Sequence, residues 1–135
     1  MNAVDAAIYS ALTGDTTVGN KVDDRIYHGL APEQKTYPFI VFQEVSGLDD
    51  YTMTRRATRT LRYQVMCVDK GPSAKAAGEV MDAVDGALHD QALTVASHDT
   101  LYVRRDSSRE FTEVDAGIVY WHEVAEYLVV ITPTT

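Results

Sequence analysis

Thiol chemistry is nearly absent from this chain. Cys67 is its one cysteine, which excludes an intrachain disulfide and a cluster of thiolate ligands; beside Met66 and Val68 it reads as a small buried core residue. Long apolar runs are missing too. No stretch approaches the roughly 18–20 residues that a membrane-spanning helix requires. The opening MNAVDAAIYSALTGD has two acids and no basic leader, so neither a membrane span nor a secretory signal is expected, and synthesis and residence in a cytoplasm are. Positive charge is scarce: 12 Lys+Arg against 20 Asp+Glu leave a net charge of -8. Attraction of the whole surface to nucleic acid, which depends on neutralising phosphates, is thereby disfavoured.

Catalytic signatures are also wanting. Gly14 to Lys21 (GDTTVGNK) has the two glycines of a phosphate loop, but Asn20 displaces the lysine, no Ser or Thr follows it, and the segment leaves a helix instead of a strand. His122 to Glu126 (HEVAE) misses a zinc-protease motif because its second histidine is a glutamate and the segment alternates as a strand. The other histidines, His28, His89 and His98, show no nucleophile signature with any serine. His89, near a helix end, is placed to complement the helix dipole, and His98-Asp99 reads as a turn. Adjacent acids such as Asp23-Asp24 and Asp49-Asp50 read as solvated loops. Neither an enzyme, nor a cofactor, nor a metal site is expected.

What is present is enough apolar material for one domain: 135 residues, 45% hydrophobic. Val4, Ile8 and Leu12 recur at helical spacing over Ala3 to Leu12, with Gly14 placed to stop the helix. Val18 and Val22 allow one further turn. Arg25 to His28 starts a strand. Pro32 and Pro38 bracket a loop that cannot join a ladder. The following FIVFQEV is apolar on both faces, which predicts a strand covered from both sides in the finished object. Gly47 to Met53 reads as a turn or mobile loop, and Arg56 to Val68 as an alternating strand. Ser73 is placed to cap a helix reaching His89, with Ala77, Val80, Met81, Val84 and Leu88 as its apolar stripe. Gly78 and Gly86 each cost about 1 kcal/mol in a helix interior, which tight packing on a sheet would offset. A short strand at Ala92 to Ala96 precedes long strands at Leu101 to Thr112 and Ile118 to Ile131, and Thr132 to Thr135 reads as frayed. The fold class is α+β: a single domain over residues 1–135, with a mainly antiparallel sheet of about four or five strands and two main helices on one face.

Seven of the 12 basic residues fall in two short segments. Arg55, Arg56, Arg59 and Arg62 lie at the start of one strand, and Arg104, Arg105 and Arg109 lie in the closing hairpin. They either reach acids on a neighbouring subunit or pair across strands within their own. Tyr51 in a loop, with Trp121 and Tyr127 on an outer strand face, are aromatic candidates for a subunit interface. The acid surplus has two readings as well, solubility or a surface that repels DNA.

The order of four segments carries a resemblance that none of them carries alone. Arg25 to Gly47 (RIYHGLAPEQKTYPFIVFQEVSG), Leu61 to Asp69 (LRYQVMCVD), Ser73 to His89 (SAKAAGEVMDAVDGALH) and Asp106 to Val130, with its Asp115-Ala116-Gly117 turn, follow one another at spacings that resemble the tail completion or tail terminator family of long-tailed bacteriophages. The resemblance implies a structural virion protein. By analogy with lambda-type tail terminators, it implies a homo-oligomeric ring, a hexamer, that caps the head-proximal end of the tail tube. It implies partners in the tail tube protein and the head-tail connector proteins, and genome DNA passing through the ring without specific binding. It implies no cofactor, and no membrane partner. A head-side adaptor or head closure protein of the connector, or an unrelated protein-binding module, is the alternative.

Overall fold

The computed structural model describes residues 2–134. The first helix, α1 (Ala3–Thr13), starts where Asn2 caps it. Asn2 Oδ1 accepts from the Asp5 amide at 2.8 Å, while Asp5 Oδ2 accepts from the Asn2 amide at 3.0 Å, so two orphan donors are satisfied reciprocally. Val4, Ala7, Ile8 and Leu12 are buried, and Gly14 caps the C-terminus as its sequence position implies. A second helix, α2 (Thr16–Val22), is longer than the single turn expected, because the Asp15 side chain accepts from the Val18 amide at 3.0 Å and caps it.

Five strands make one sheet: β1 (Ile26–His28), β2 (Phe39–Tyr51), β3 (Arg56–Lys70), β4 (His98–Asp115) and β5 (Ile118–Pro133). Their spatial order is β1-β2-β3-β5-β4. Every neighbouring pair is antiparallel except β1–β2, which is parallel. A third helix, α3 (Lys75–Leu88), joins β3 to β4. The class is α+β as expected, with α1 and α3 as its two main helices and α2 as a shorter third.

The helices pack on one face of the sheet. Ile8, Leu12, Val18 and Val22 join Val80, Val84 and Leu88 of α3 over Ile40, Phe42, Leu61, Val65 and Cys67. Cys67 is buried, and burial pushes its thiol pKa up. Tyr63 of β3 and Tyr127 of β5 are register partners at the sheet centre, and both side chains are fully buried. The Tyr63 hydroxyl donates to Asp5 Oδ1 of α1 at 2.5 Å, and the Tyr127 hydroxyl donates to Asp85 Oδ1 of α3 at 2.9 Å. Burial and the facing carboxylates push both phenol pKa values up, so both remain donors. Tyr127 is therefore a core anchor, and its expected place on an outer face is corrected.

A smaller cluster covers the other face at one end only, where Phe39, Val41 and Val68 pack with Tyr27, Ala31, Tyr37 and Met66. The loop between β1 and β2 thus folds back over the sheet. Arg25 holds its far end by donating from Nε to the Pro38 carbonyl at 2.8 Å. FIVF is covered on both sides as its apolar pattern requires, but by its own chain and not by a neighbour.

Local signals misplace several boundaries. Gly47 to Tyr51 continues β2, because β3 supplies a ladder partner as far as Arg56; the turn is shorter and later. The N-cap of α3 is Ala74, one residue later than expected and without a side-chain bond of its own, but Ser73 Oγ still accepts from the amide of Lys75, the first helical residue, at 3.4 Å. Of Ala92 to Ala96, only Val95 makes a bridge, to His98. His98 itself opens β4 instead of forming a turn. The C-terminal segment is held, since β5 runs to Pro133 and the Thr134 amide donates to the Ser97 carbonyl at 3.0 Å; Thr135 lies outside the described residues. Tight packing does not account for the helix glycines: a Cβ at Gly78 would stand 3.8 Å from Glu123 Oε1, and one at Gly86 would meet nothing within 4 Å.

Two outcomes follow for stability. Gly86→Ala should raise the unfolding free energy by about 0.5–1 kcal/mol, because the site is open and helical; thermal melting that does not rise would contradict this. Tyr63→Phe should cost about 1–3 kcal/mol by stranding the Asp5 carboxylate, read as a lower urea midpoint with unchanged slope.

Candidate functional site

Beyond Phe42 strand β2 is exposed from Gln43 to Leu48, while its partner β3 stays buried under the helices as far as Leu61. The turn closes on itself. The Thr52 amide and hydroxyl donate to the Arg55 carbonyl at 2.7 and 3.1 Å, and the Arg55 amide donates to Thr52 Oγ1 at 3.2 Å. Leu48 and Tyr51 are each 65% exposed and Met53 fully so. Asp49 holds two arginines of this arm, Arg59 Nε at 2.8 Å and Arg56 Nη2 at 3.5 Å. Arg55 makes no ion pair among the described residues.

The second arm is the β4–β5 hairpin. Ala116 and Gly117 have φ of 51° and 78°, the two left-handed residues of a tight hairpin turn whose twist matches its strands. β4 is an edge strand, and Val103 is its one buried residue. The Asp90 amide donates to the Val103 carbonyl at 2.8 Å, and the Arg105 amide donates to His89 Nδ1 at 3.0 Å. His89 thus accepts through Nδ1 on this edge, with its Nε2 3.3 Å from Asp90 Oδ2. Among the described residues, the outer edge from Asp106 to Asp115 has no backbone partner.

The basic candidates divide accordingly. Arg62 bridges Asp106 at 2.6 Å and Glu126 at 3.0 Å, and Arg105 Nη1 stands 3.7 Å from Asp85. With Arg56 and Arg59 these are intrachain pairs, the second of the two readings. Arg104 lies over the Tyr102 ring at 4.4 Å and Arg109 over the Phe111 ring at 5.6 Å. Trp121 is half-buried, and its Nε1 donates to the Gly71 carbonyl at 2.9 Å. Tyr51 and Arg55 at one tip, with Arg104 on the other arm, are the candidates that face outward unencumbered by an ion pair.

The structure adds a pocket that sequence reasoning missed. On the face opposite the helices, next to the β4–β5 turn, a depression of about 430 Å³ is walled by Tyr37, Phe39 and Tyr120. Glu33, Lys35, Glu113 and Asp115 stand at its rim, and His122 lines it. His122 is buried, stacks on Phe111 with centroids 4.4 Å apart, and neither ring nitrogen has a hydrogen-bond partner. Glu113 Oε1 lies 3.4 Å from Nε2 without hydrogen-bond geometry. Desolvation lowers the His122 pKa despite the nearby Glu113 carboxylate.

On the helix face of the same arm, Glu110 and Glu123 sit directly opposite. Burial, the Glu110 hydrogen bond and the nearby Asp82 push Glu123 up to about 7. Both pairings were available by counting: once Asp115 faces Ile118 across the turn, Phe111 must face His122 and Glu110 must face Glu123. The pocket itself was not available, because the β1–β2 loop supplies its far wall.

The tail completion protein gp17 family matches residues 6–131. The chain belongs to this family. It is therefore a structural protein of a phage tail. The fold is shared with a chain in a solved structure described as the virion of a native gene transfer agent (GTA) particle, at 16% identity and a TM-score of 0.79, covering 95% of each chain. A second solved structure is similar at 12% identity and a TM-score of 0.53, covering 93% of this chain and 94% of the other. No curated protein matches the sequence. In this tail completion protein no described helix is long and apolar enough to cross a membrane.

The native state holds the Glu123 proton more tightly than the unfolded chain, whose glutamates lose theirs near 4.5. Stability from this group is full below that pH and declines as pH rises toward about 7. Glu123→Gln should unfold at a higher urea concentration than the parent at pH 8, and the gap should shrink toward pH 4.5. A gap that is constant with pH would show that the pair does not titrate in this window.

Proposed function

We propose that this tail completion protein assembles as a ring of six copies that closes the head-proximal end of the tail tube, stopping its growth and offering a surface to the connector proteins of the filled head. The observation that carries the reading is the exposed tip of the β2–β3 arm, where Leu48, Tyr51 and Met53 stand in solvent. Apolar groups gathered on a protrusion mark a contact that the isolated chain does not satisfy.

The arms support a ring over a two-fold dimer. The β2–β3 turn lies at the sheet end where β5 finishes, and the β4–β5 turn lies at the opposite end, as the registers of both ladders require. Contacts made by opposite ends of one molecule are head to tail, and these close into rings when the rotation allows. The net charge of -8 suits a ring whose lumen passes DNA without holding it, because carboxylates repel phosphate. Nothing in such a role needs turnover, since one ring face matches the tube subunit and the other fails to recruit a further tube ring.

Negative-stain electron microscopy of the protein alone and mixed with purified tail tubes tests the reading. Rings and capped tube tips are expected. Replacing Tyr51 and Met53 together by serine should abolish capping while stability stays within about 0.5 kcal/mol of the parent. A protein that remains monomeric and leaves tube ends bare would overturn the proposal.

A further inference from the structure

We propose that the pocket beside His122 is the socket for the Arg55 guanidinium of a second copy, so that the β2–β3 tip of each subunit plugs into the β4–β5 end of the next. This rests on the ring reading above and names the contact that would close it.

The socket has the chemistry of a guanidinium site. Its walls are the ring faces of Tyr37, Phe39 and Tyr120, and the rim carries Glu33, Glu113 and Asp115 against Lys35. Those walls already attract cations within the chain: Lys35 Nζ lies 5.8 Å from the Phe39 centroid and Lys70 Nζ 5.1 Å from that of Tyr37. A guanidinium answers walls and rim together, because its planar face stacks on aromatic rings while its fork donates to a carboxylate. Among the described residues, no group of three or more His, Cys, Asp or Glu could hold a metal ion, so an arginine suits the site better than a metal.

Arg55 is the arginine fitted to reach it. Arg56, Arg59, Arg62 and Arg105 are held by acids of their own chain. Arg104 and Arg109 lie over Tyr102 and Phe111 of the arm that forms the socket. Arg55 sits at the turn of the opposite arm, flanked by the exposed Tyr51 and Met53, which would meet the aromatic walls as the arginine enters. The arm and the socket lie at opposite ends of the sheet, so the contact cannot be made within one chain and propagates from subunit to subunit.

Charge exchange and cross-linking test this. Arg55→Glu and Glu113→Arg should each raise the protein concentration needed for ring formation by roughly thirtyfold or more, measured by sedimentation velocity, and the double variant should restore assembly toward that of the parent. Arg55→Gln and Glu113→Gln, which reverse no charge, should weaken assembly in the same direction, and circular dichroism checks that each variant folds. In a chain carrying Met53→Cys and Asp115→Cys, which keeps Arg55 and Glu113, mild oxidation of assembled protein should give a denaturing-gel ladder rising to the full ring, whereas either single variant stops at dimers; Cys67 is buried and does not interfere. If the parent forms rings but the ladder is absent and the single reversals assemble normally, the socket is wrong and the ring stands. If the parent never exceeds a monomer, socket and ring fall together.

Discussion

Two tyrosines paired across the centre of the sheet hold this molecule together. Tyr63 and Tyr127 are opposite one another on β3 and β5, and each passes its hydroxyl to a carboxylate on a different helix, Asp5 on α1 and Asp85 on α3. A buried phenol without a partner is costly, so this register fixes where both helices sit. It also fixes the two central strands against each other, since a slip of one residue would turn every side chain to the opposite face. Asp5 closes the α1 capping box through its other oxygen, and Asp85 also meets Arg105 of β4. The α1 capping box, the helix layer and the edge strand are thereby tied to one pair of rings.

Much of this was legible from residues, and the failures share one cause. Helical spacing in Val4, Ile8 and Leu12, alternation in LRYQVMC, and the Asp115-Ala116-Gly117 turn all report local geometry, and local geometry is what the chain adopted there. Gly47 to Tyr51 looked like a loop because glycine and two aspartates are weak strand formers, yet a ladder with β3 overrides that preference. Tyr127 looked outward because alternation divides a strand into two faces without saying which is covered; α3 decides it. The pocket around His122 depends on a loop distant in sequence folding back over the sheet, which no spacing rule encodes.

The arginines show how the same residues serve folding and leave a remainder for assembly. Pairs made inside one chain at partly exposed positions contribute little each, but they settle which cations are already committed. Arg55 at the β2–β3 tip and the pocket acids Glu33 and Asp115 at the opposite end of the sheet are among the charges that make no ion pair among the described residues. For a structural protein of a phage tail, specificity lies in which surfaces are left unsatisfied and in which direction they point.

The long free edge of β4 has a consequence for the protein before it assembles. An unpaired strand is a template for indiscriminate stacking and for fibre growth at high protein concentration. Here the exposed stretch carries both signs, in Asp106, Arg109, Glu110, Glu113 and Asp115, and a bulge between Arg105 and Ser107 interrupts its pleat and sharpens its twist. A second copy laid along it meets charge mismatches in most registers and a ridge where it needs a flat ribbon. The residues that line the open edge therefore work against its pairing with another copy of the same strand.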